Sequence, residues 1–106
     1  MSGWITVARA ADFAPGTWRV ADVEDTQIVV FNIDGNYYAI EDVCTHDGGR
    51  LTGGEIEGDQ IVCPRHGARF CIRTGEALTA PAYEATAKFP VRVEDGEVQL
   101  RDDRWD

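Results

Sequence analysis

The chain has 106 residues, which suffice for a single domain with one hydrophobic core but not for two domains. Its 10 basic and 19 acidic side chains give a formal net charge of −9, which repels nucleic-acid phosphates and anionic membranes. We therefore expect neither as a partner. Such a surface would suit docking to a basic partner, with association slowed by salt, and the alternative is that the acidity only keeps a small protein soluble.

The first half of the chain predicts short strands separated by turns. Strands are expected at 5–8 and 17–20, followed by a run rich in β-branched residues at 27–33. The pair Asp34-Gly35 then leads into a second run at 36–40. An Asp-Gly pair between two such runs is typical of a tight β-hairpin.

The second half continues the same pattern. A short strand at 60–62 leads directly into Cys63, and a closing hairpin is predicted from strands at 89–93 and 97–101 joined by a turn at 94–96. No window shows a sustained apolar repeat of 3.6 residues, so helices are not expected. The sequence therefore predicts an all-β fold.

Between the two hairpins, residues 42–86 contain two short motifs, Cys44-Thr45-His46 and Cys63-Pro64-Arg65-His66. Together they use both histidines of the chain and two of its three cysteines. Each motif pairs a thiolate donor with an imidazole donor, so we predict that Cys44, His46, Cys63 and His66 bind a metal.

Three kinds of site compete for these four residues. Two Cys and two His can hold a structural zinc ion, although zinc motifs usually pair like donors at wider spacing. A catalytic Cys-His pair would use one motif and leave the other unexplained. A [2Fe–2S] cluster in which two His replace two Cys on one iron accounts for the mixed order, because each loop gives one thiolate and one imidazole.

The three cysteines also bear on the compartment. They are too few for a disulfide scaffold, and their number is odd. The N-terminal residues lack the pattern of a signal peptide, and no apolar run approaches the roughly 20 residues that span a bilayer. We expect a cytoplasmic protein with reduced thiols.

The two motifs and their surroundings resemble the Rieske iron–sulfur family. CTHDGGRL at 44–51 and CPRHGARF at 63–70 are similar to the two cluster-binding loops of that family. Further similar segments are NIDGNYYAIEDVCTH (32–46), RTGEAL (73–78), the proline-containing loop TAPAYEA (79–85) and FPVRVEDGEVQL (89–100).

The resemblance implies an antiparallel β-sandwich or barrel that forms one domain over 1–106. A small loop-built cluster-binding subdomain at about 42–86 would be inserted between the strands of the base. It also implies one [2Fe–2S] cluster per chain. Cys44 and Cys63 would hold the inner iron, and His46 and His66 the outer iron.

Departures from the family pattern predict a cluster of low potential. Gly49 and Arg65 stand where respiratory Rieske proteins have two further cysteines, so that disulfide cannot form. Ala68 and Phe70 stand where those proteins have a serine and a tyrosine that donate hydrogen bonds to sulfur. Because such bonds stabilise the reduced cluster, their absence lowers the reduction potential toward roughly −150 mV.

Residues close to the two motifs are expected to protect the cluster or to shape its loops. Leu51 and Pro81 are expected to shield the cluster from water, the alternative being ordinary loop packing. Cys71 is expected to be a small buried side chain rather than a functional thiol. Gly48, Gly49 and Gly67 are expected to let backbone amides approach the sulfides.

The resemblance implies an electron carrier rather than an enzyme. No histidine is left for the mononuclear iron, held by two histidines and a carboxylate, of a catalytic oxygenase. The chain resembles the ferredoxin component of bacterial aromatic-ring dioxygenase systems. It would be a monomer that carries one electron from a flavin-dependent NAD(P)H reductase to a terminal oxygenase. The alternative is a small Rieske subunit of an assimilatory nitrite reductase or another multisubunit oxidoreductase.

Overall fold

The computed structural model describes residues 3–45, 48–65, 67–80 and 82–103. Within these residues the chain forms ten β-strands and one short 3-10 helix, Ala10–Asp12. The strands are β1 (Ile5–Arg9), β2 (Trp18–Val23), β3 (Thr26–Ile33), β4 (Asn36–Glu41), β5 (Ile56–Glu57), β6 (Gln60–Val62), β7 (Arg69–Cys71), β8 (Lys88–Phe89), β9 (Val91–Glu94) and β10 (Glu97–Leu100). No helix in this part of the chain is long and apolar enough to cross a membrane.

The strands form three antiparallel sheets, which confirms the predicted all-β fold. The middle sheet has the order β2-β3-β4-β8, the base sheet has the order β1-β10-β9, and the lobe sheet has the order β5-β6-β7. The names middle, base and lobe sheet are used below in this sense.

Strand β3 explains why the lobe sheet and the base sheet pack on opposite faces of the middle sheet. Its residues alternate between two cores: Val29 and Phe31 pack with the lobe sheet, whereas Ile28 and Val30 pack with the base sheet. All four side chains are fully buried. A strand covered on both faces is apolar at successive positions, which accounts for the unbroken apolar run at 28–31.

Two tight turns confirm the hairpins that the sequence predicted. Asp34 and Gly35 have φ angles of 54° and 89°, and Asp95 and Gly96 have φ angles of 51° and 77°. Positive φ at both central residues is the conformation of a type I′ turn, whose twist matches that of the strands it joins. The turns therefore connect β3 to β4 and β9 to β10 in register.

The prediction of one strand over 89–93 is wrong. The chain passes from the middle sheet to the base sheet at Pro90, because β8 pairs with β4 whereas β9 pairs with β10. Proline has no N–H to donate, so it interrupts a ladder and suits a point where a strand leaves its sheet. Strand β2 also extends beyond the predicted 17–20, as far as a turn in which Glu24 has a φ of 57°.

Candidate metal centre

The fold brings Cys44 and Cys63 into one apolar core between the middle sheet and the lobe sheet, although they come from different parts of the chain. Both side chains are buried, with exposed fractions of 0% and 1%. None of the three cysteines is in a disulfide. We call this core the lobe core; its members are Val29, Phe31, Ile40, Cys44, Leu51, Ile61, Cys63, Ala68, Phe70, Ile72 and Ala82.

Two backbone hydrogen bonds frame the loop that begins at Cys44. The Cys44 N–H donates to the carbonyl of Gly49 at 2.7 Å, and the Cys44 carbonyl accepts from the Gly48 N–H at 2.8 Å. Gly48 has a φ of 76°, a conformation that glycine adopts without the steric cost that other residues meet. The loop therefore folds back onto its own cysteine.

The loop that begins at Cys63 has the same frame. The Cys63 N–H donates to the Ala68 carbonyl at 2.7 Å, and the Cys63 carbonyl accepts from the Gly67 N–H at 3.0 Å. Gly67 has a φ of 74°. In both loops the cysteine N–H thus donates to the carbonyl five residues later in the chain, and the cysteine carbonyl accepts from the N–H four residues later.

Gly48 and Gly67 have matching roles in the two loops. With Gly49 they were expected to let backbone amides approach the sulfides, and their own N–H groups donate to the cysteine carbonyls. The positive φ of each glycine closes a loop, which is why the two positions match between loops of otherwise different sequence.

His46 and His66 lie outside the described residues, as does Pro81. The neighbours of His66 in the chain are described: Pro64, Arg65 and Gly67 are exposed, whereas Cys63 is buried. Each loop thus runs from a buried thiol to the protein surface within a few residues. Among the described residues, no three His, Cys, Asp or Glu side chains form a group that could hold a metal ion.

The chemistry of the described donors fits a cluster held from two sides. Two buried thiols in matching loops can each ligate through sulfur, and neither is used in a disulfide. Leu51, predicted to shield the site, is fully buried in the lobe core with both cysteines. Ala68 and Phe70 are fully buried there too, so no hydroxyl stands at either position.

Cys71 is half-buried rather than buried, contrary to prediction. It is the last residue of β7, where side chains alternate between the two faces of the sheet. Phe70 occupies the inward position, so Cys71 points away from the lobe core. It is therefore separate from the pair formed by Cys44 and Cys63.

A segment after the lobe sheet covers the first loop. Ala82 is buried in the lobe core, and the Thr45 hydroxyl donates to the Glu84 carbonyl at 2.6 Å. We call residues 75–86 the covering segment. Gly75 joins its two ends, because the Gly75 carbonyl accepts from the Thr86 N–H, while the Gly75 N–H donates to the Cys71 carbonyl. A Cβ at Gly75 would lie 2.2 Å from the Thr86 carbonyl oxygen, so only glycine fits there.

Asp42 was not among the residues predicted from the sequence to matter for the site. It lies two residues before Cys44, and its side chain is 5% exposed. Its carboxylate accepts hydrogen bonds from the N–H groups of Leu51 and Thr52 and from the Thr52 hydroxyl. No local pattern marks this role, because the donors lie nine and ten residues further along the chain.

Residues 3–90 match the family described as the Rieske [2Fe-2S] domain. Ferredoxin CarAc of Metapseudomonas resinovorans is 38% identical over 98 residues, which cover 92% of each chain. The ferredoxin component of the naphthalene 1,2-dioxygenase system of Pseudomonas putida is 33% identical over 97 residues, which cover 92% of this chain and 93% of the relative.

Solved structures agree with these relatives. A ferredoxin of Sphingomonas yanoikuyae B1 superposes with a TM-score of 0.85 at 31% identity, covering 94% of this chain and 99% of that one. A chain from a complex of reduced oxygenase and oxidized ferredoxin in carbazole 1,9a-dioxygenase superposes with a TM-score of 0.86 at 37% identity, covering 92% and 91%.

These matches confirm the predicted resemblance and the predicted cofactor, a Rieske-type [2Fe–2S] cluster. The curated relatives are named as ferredoxins, which carry electrons and leave catalysis to another component. The prediction of an electron carrier rather than an enzyme is therefore confirmed.

Proposed function

This chain belongs to the Rieske [2Fe-2S] domain family, and on that premise we propose that it is the ferredoxin component of an aromatic-ring dioxygenase system. It takes electrons one at a time from a flavin-dependent NAD(P)H reductase and passes them to a terminal oxygenase. The names of its relatives, which belong to naphthalene and carbazole dioxygenase systems, support this assignment. When bound, the cluster supplies one-electron redox chemistry.

The proposed ligands are Cys44 and Cys63 on the inner iron and His46 and His66 on the outer iron. The observation that carries this assignment is the pair of buried thiols in loops with the same hydrogen-bonded frame. The exposed neighbours of His66 support an outward position for the imidazole iron.

Electrons would enter and leave through the surface beside the two loops. Arg65 and Gly67 of the second loop are exposed, and Leu78 and Tyr83 within the covering segment are 42% and 84% exposed. Exposed apolar side chains beside a redox site suit a partner that docks and leaves, and such transient interfaces are small. A terminal oxygenase is the partner that we propose for this surface.

The remaining parts of the proposal concern the whole chain. We propose one domain over 1–106, with 42–86 as its cluster-binding part, because the three layers share continuous cores on both faces of the middle sheet. A monomer in the cytoplasm suits a carrier that meets two partners in turn, and the unbridged cysteines suit a reducing compartment.

The ligand assignment is tested by cysteine substitution. Wild-type protein purified without oxygen should contain about two iron and two sulfide per chain, and Cys44→Ser or Cys63→Ser should lose nearly all of both. Cys71→Ser is the matched control and should retain the cluster, because Cys71 points away from the lobe core. A larger loss from Cys71→Ser than from the other two would refute the assignment.

The electron-transfer role is tested by reconstitution. Oxygenation of an aromatic substrate by the reductase and oxygenase of the same organism should depend on this chain and stop when it is left out. Recovery of the chain only as a fixed subunit of a larger oxidoreductase, with no such dependence, would instead support the nitrite-reductase alternative.

A further inference from the structure

Asp42 joins the two ends of the Cys44 loop. Its Oδ1 atom accepts hydrogen bonds from the N–H of Leu51 at 2.8 Å and from the N–H of Thr52 at 2.9 Å. Its Oδ2 atom accepts from the Thr52 hydroxyl at 2.9 Å. All three partners are donors, so the side chain acts as a carboxylate acceptor for the segment that follows the loop.

The two cysteine loops differ in how the chain closes them. The Cys63 loop joins β6 to β7, and the pair formed by Val62 and Arg69 holds its ends together. In the described part of the Cys44 loop there is no such pair, because β4 ends at Glu41 and β5 begins only at Ile56. The contacts of Asp42 with residues 51 and 52 take the place of a strand pair.

We propose that Asp42 is a positioning residue of the metal centre: its carboxylate closes the Cys44 loop and, two residues from the proposed ligand Cys44, contributes a negative charge that lowers the reduction potential of the cluster. This inference rests on the proposed ligand role of Cys44. In this role Asp42 is not one of the proposed iron ligands, and it acts through the loop and through its charge.

The structural part follows from burial. The Leu51 N–H and the Asp42 carboxylate lie in the interior, where a donor without a partner is costly. Leu51 itself packs in the lobe core with Cys44 and Cys63. Loss of the acceptor at position 42 would therefore loosen the segment that packs against the predicted ligands.

The electrostatic part follows from charge and position. Reduction adds one electron to the cluster, and a nearby negative charge makes that addition less favourable. Solvent and salt screen a buried carboxylate less than an exposed one. Asp42 is 5% exposed, whereas the side chain of Asp59, elsewhere in the same lobe, is 44% exposed.

Three variants of the cluster-loaded protein separate these parts: Asp42→Ala, Asp42→Asn and, as the matched control, Asp59→Asn. We expect Asp42→Ala to lose its visible absorption to an iron chelator at least about tenfold faster than wild type, since the buried Leu51 N–H and the part-buried Thr52 donors lose their acceptor. Asp42→Asn keeps an acceptor, so its cluster should persist. Its potential, measured by voltammetry, should be more positive than that of wild type, and that of Asp59→Asn should not.

Two results would overturn the proposal. One is a cluster lifetime of Asp42→Ala equal to that of wild type; the other is a potential of Asp42→Asn no higher than that of Asp59→Asn. Should Asp42→Ala not fold, the potential of Asp42→Asn decides alone. The iron and sulfide content of Cys44→Ser and Cys63→Ser tests the ligand assignment, whereas only the differences between the Asp42 and Asp59 variants test Asp42, so the two can fail separately.

Discussion

Ala68 and Phe70 share the lobe core with Cys44 and Cys63, and both are fully buried. A methyl group and a phenyl ring cannot donate hydrogen bonds to sulfur, so they leave the reduced cluster without that stabilisation. We therefore expect the wild-type midpoint potential near the low end of the Rieske span, roughly −150 mV rather than +300 mV. Direct voltammetry near neutral pH measures it, and a clearly positive value would contradict this reading.

Introducing hydroxyl groups at positions 68 and 70 tests whether missing hydrogen bonds to sulfur lower the potential. Phe70→Tyr and Ala68→Ser should each raise the midpoint potential, and the double variant should raise it further. Phe89→Tyr is the matched control, because Phe89 is also buried but packs in the core on the other face of the middle sheet. An equal shift in that control would mean that the hydroxyl acts through general polarity rather than through sulfur.

Tyr83 is the most exposed of the large apolar side chains described, at 84%. Because exposed aromatic residues often anchor interfaces, we expect Tyr83→Ala to weaken docking to the terminal oxygenase by at least about 1 kcal/mol, or roughly fivefold in affinity. Stopped-flow electron transfer would report this loss, with the cluster spectrum unchanged. Val93→Ala, at an exposed site on β9, is the control and should leave the rate as it is.

At the scale of elements, Gly54 lies against the end of β6, the strand that leads into the Cys63 loop. An added Cβ would lie 1.8 Å from the Val62 carbonyl oxygen, one residue before Cys63. We expect Gly54→Ala to destabilise the protein toward the upper end of about 1–3 kcal/mol. Thermal unfolding should show a midpoint lower by roughly 10 °C or more. Gly3→Ala, where an added Cβ meets nothing within 4 Å, should leave the midpoint unchanged.

The elements that the sequence predicted well are those specified by adjacent residues. Asp34-Gly35 and Asp95-Gly96 determine their hairpins through local turn geometry, and the cysteine loops carry their motifs within a few residues. The role of Pro90 was missed because the switch between sheets depends on which distant strands pair with β8 and β9. Asp42 was missed for the same reason, since its donors are remote in sequence.

At the scale of the whole molecule, a charge of −9 is carried on a body of 40 × 30 × 17 Å. Encounter with a basic partner should be accelerated by this field and slowed by salt. We expect the second-order rate of electron transfer to the oxygenase to fall roughly tenfold or more as the Debye length shrinks from about 30 Å to about 3 Å. Oxidation by an uncharged quinone is the control, and a similar fall there would exclude long-range attraction as the cause.

The matching frames around Cys44 and Cys63 bear on the speed of electron exchange. Exchange is fast when ligands occupy nearly the same positions before and after the transfer, that is, when the reorganisation energy is small. Each frame is closed by backbone hydrogen bonds of 2.7 to 3.0 Å within its own loop. On the proposed assignment of Cys44 and Cys63 as ligands, these frames would keep both thiolates in nearly the same positions before and after the electron is transferred.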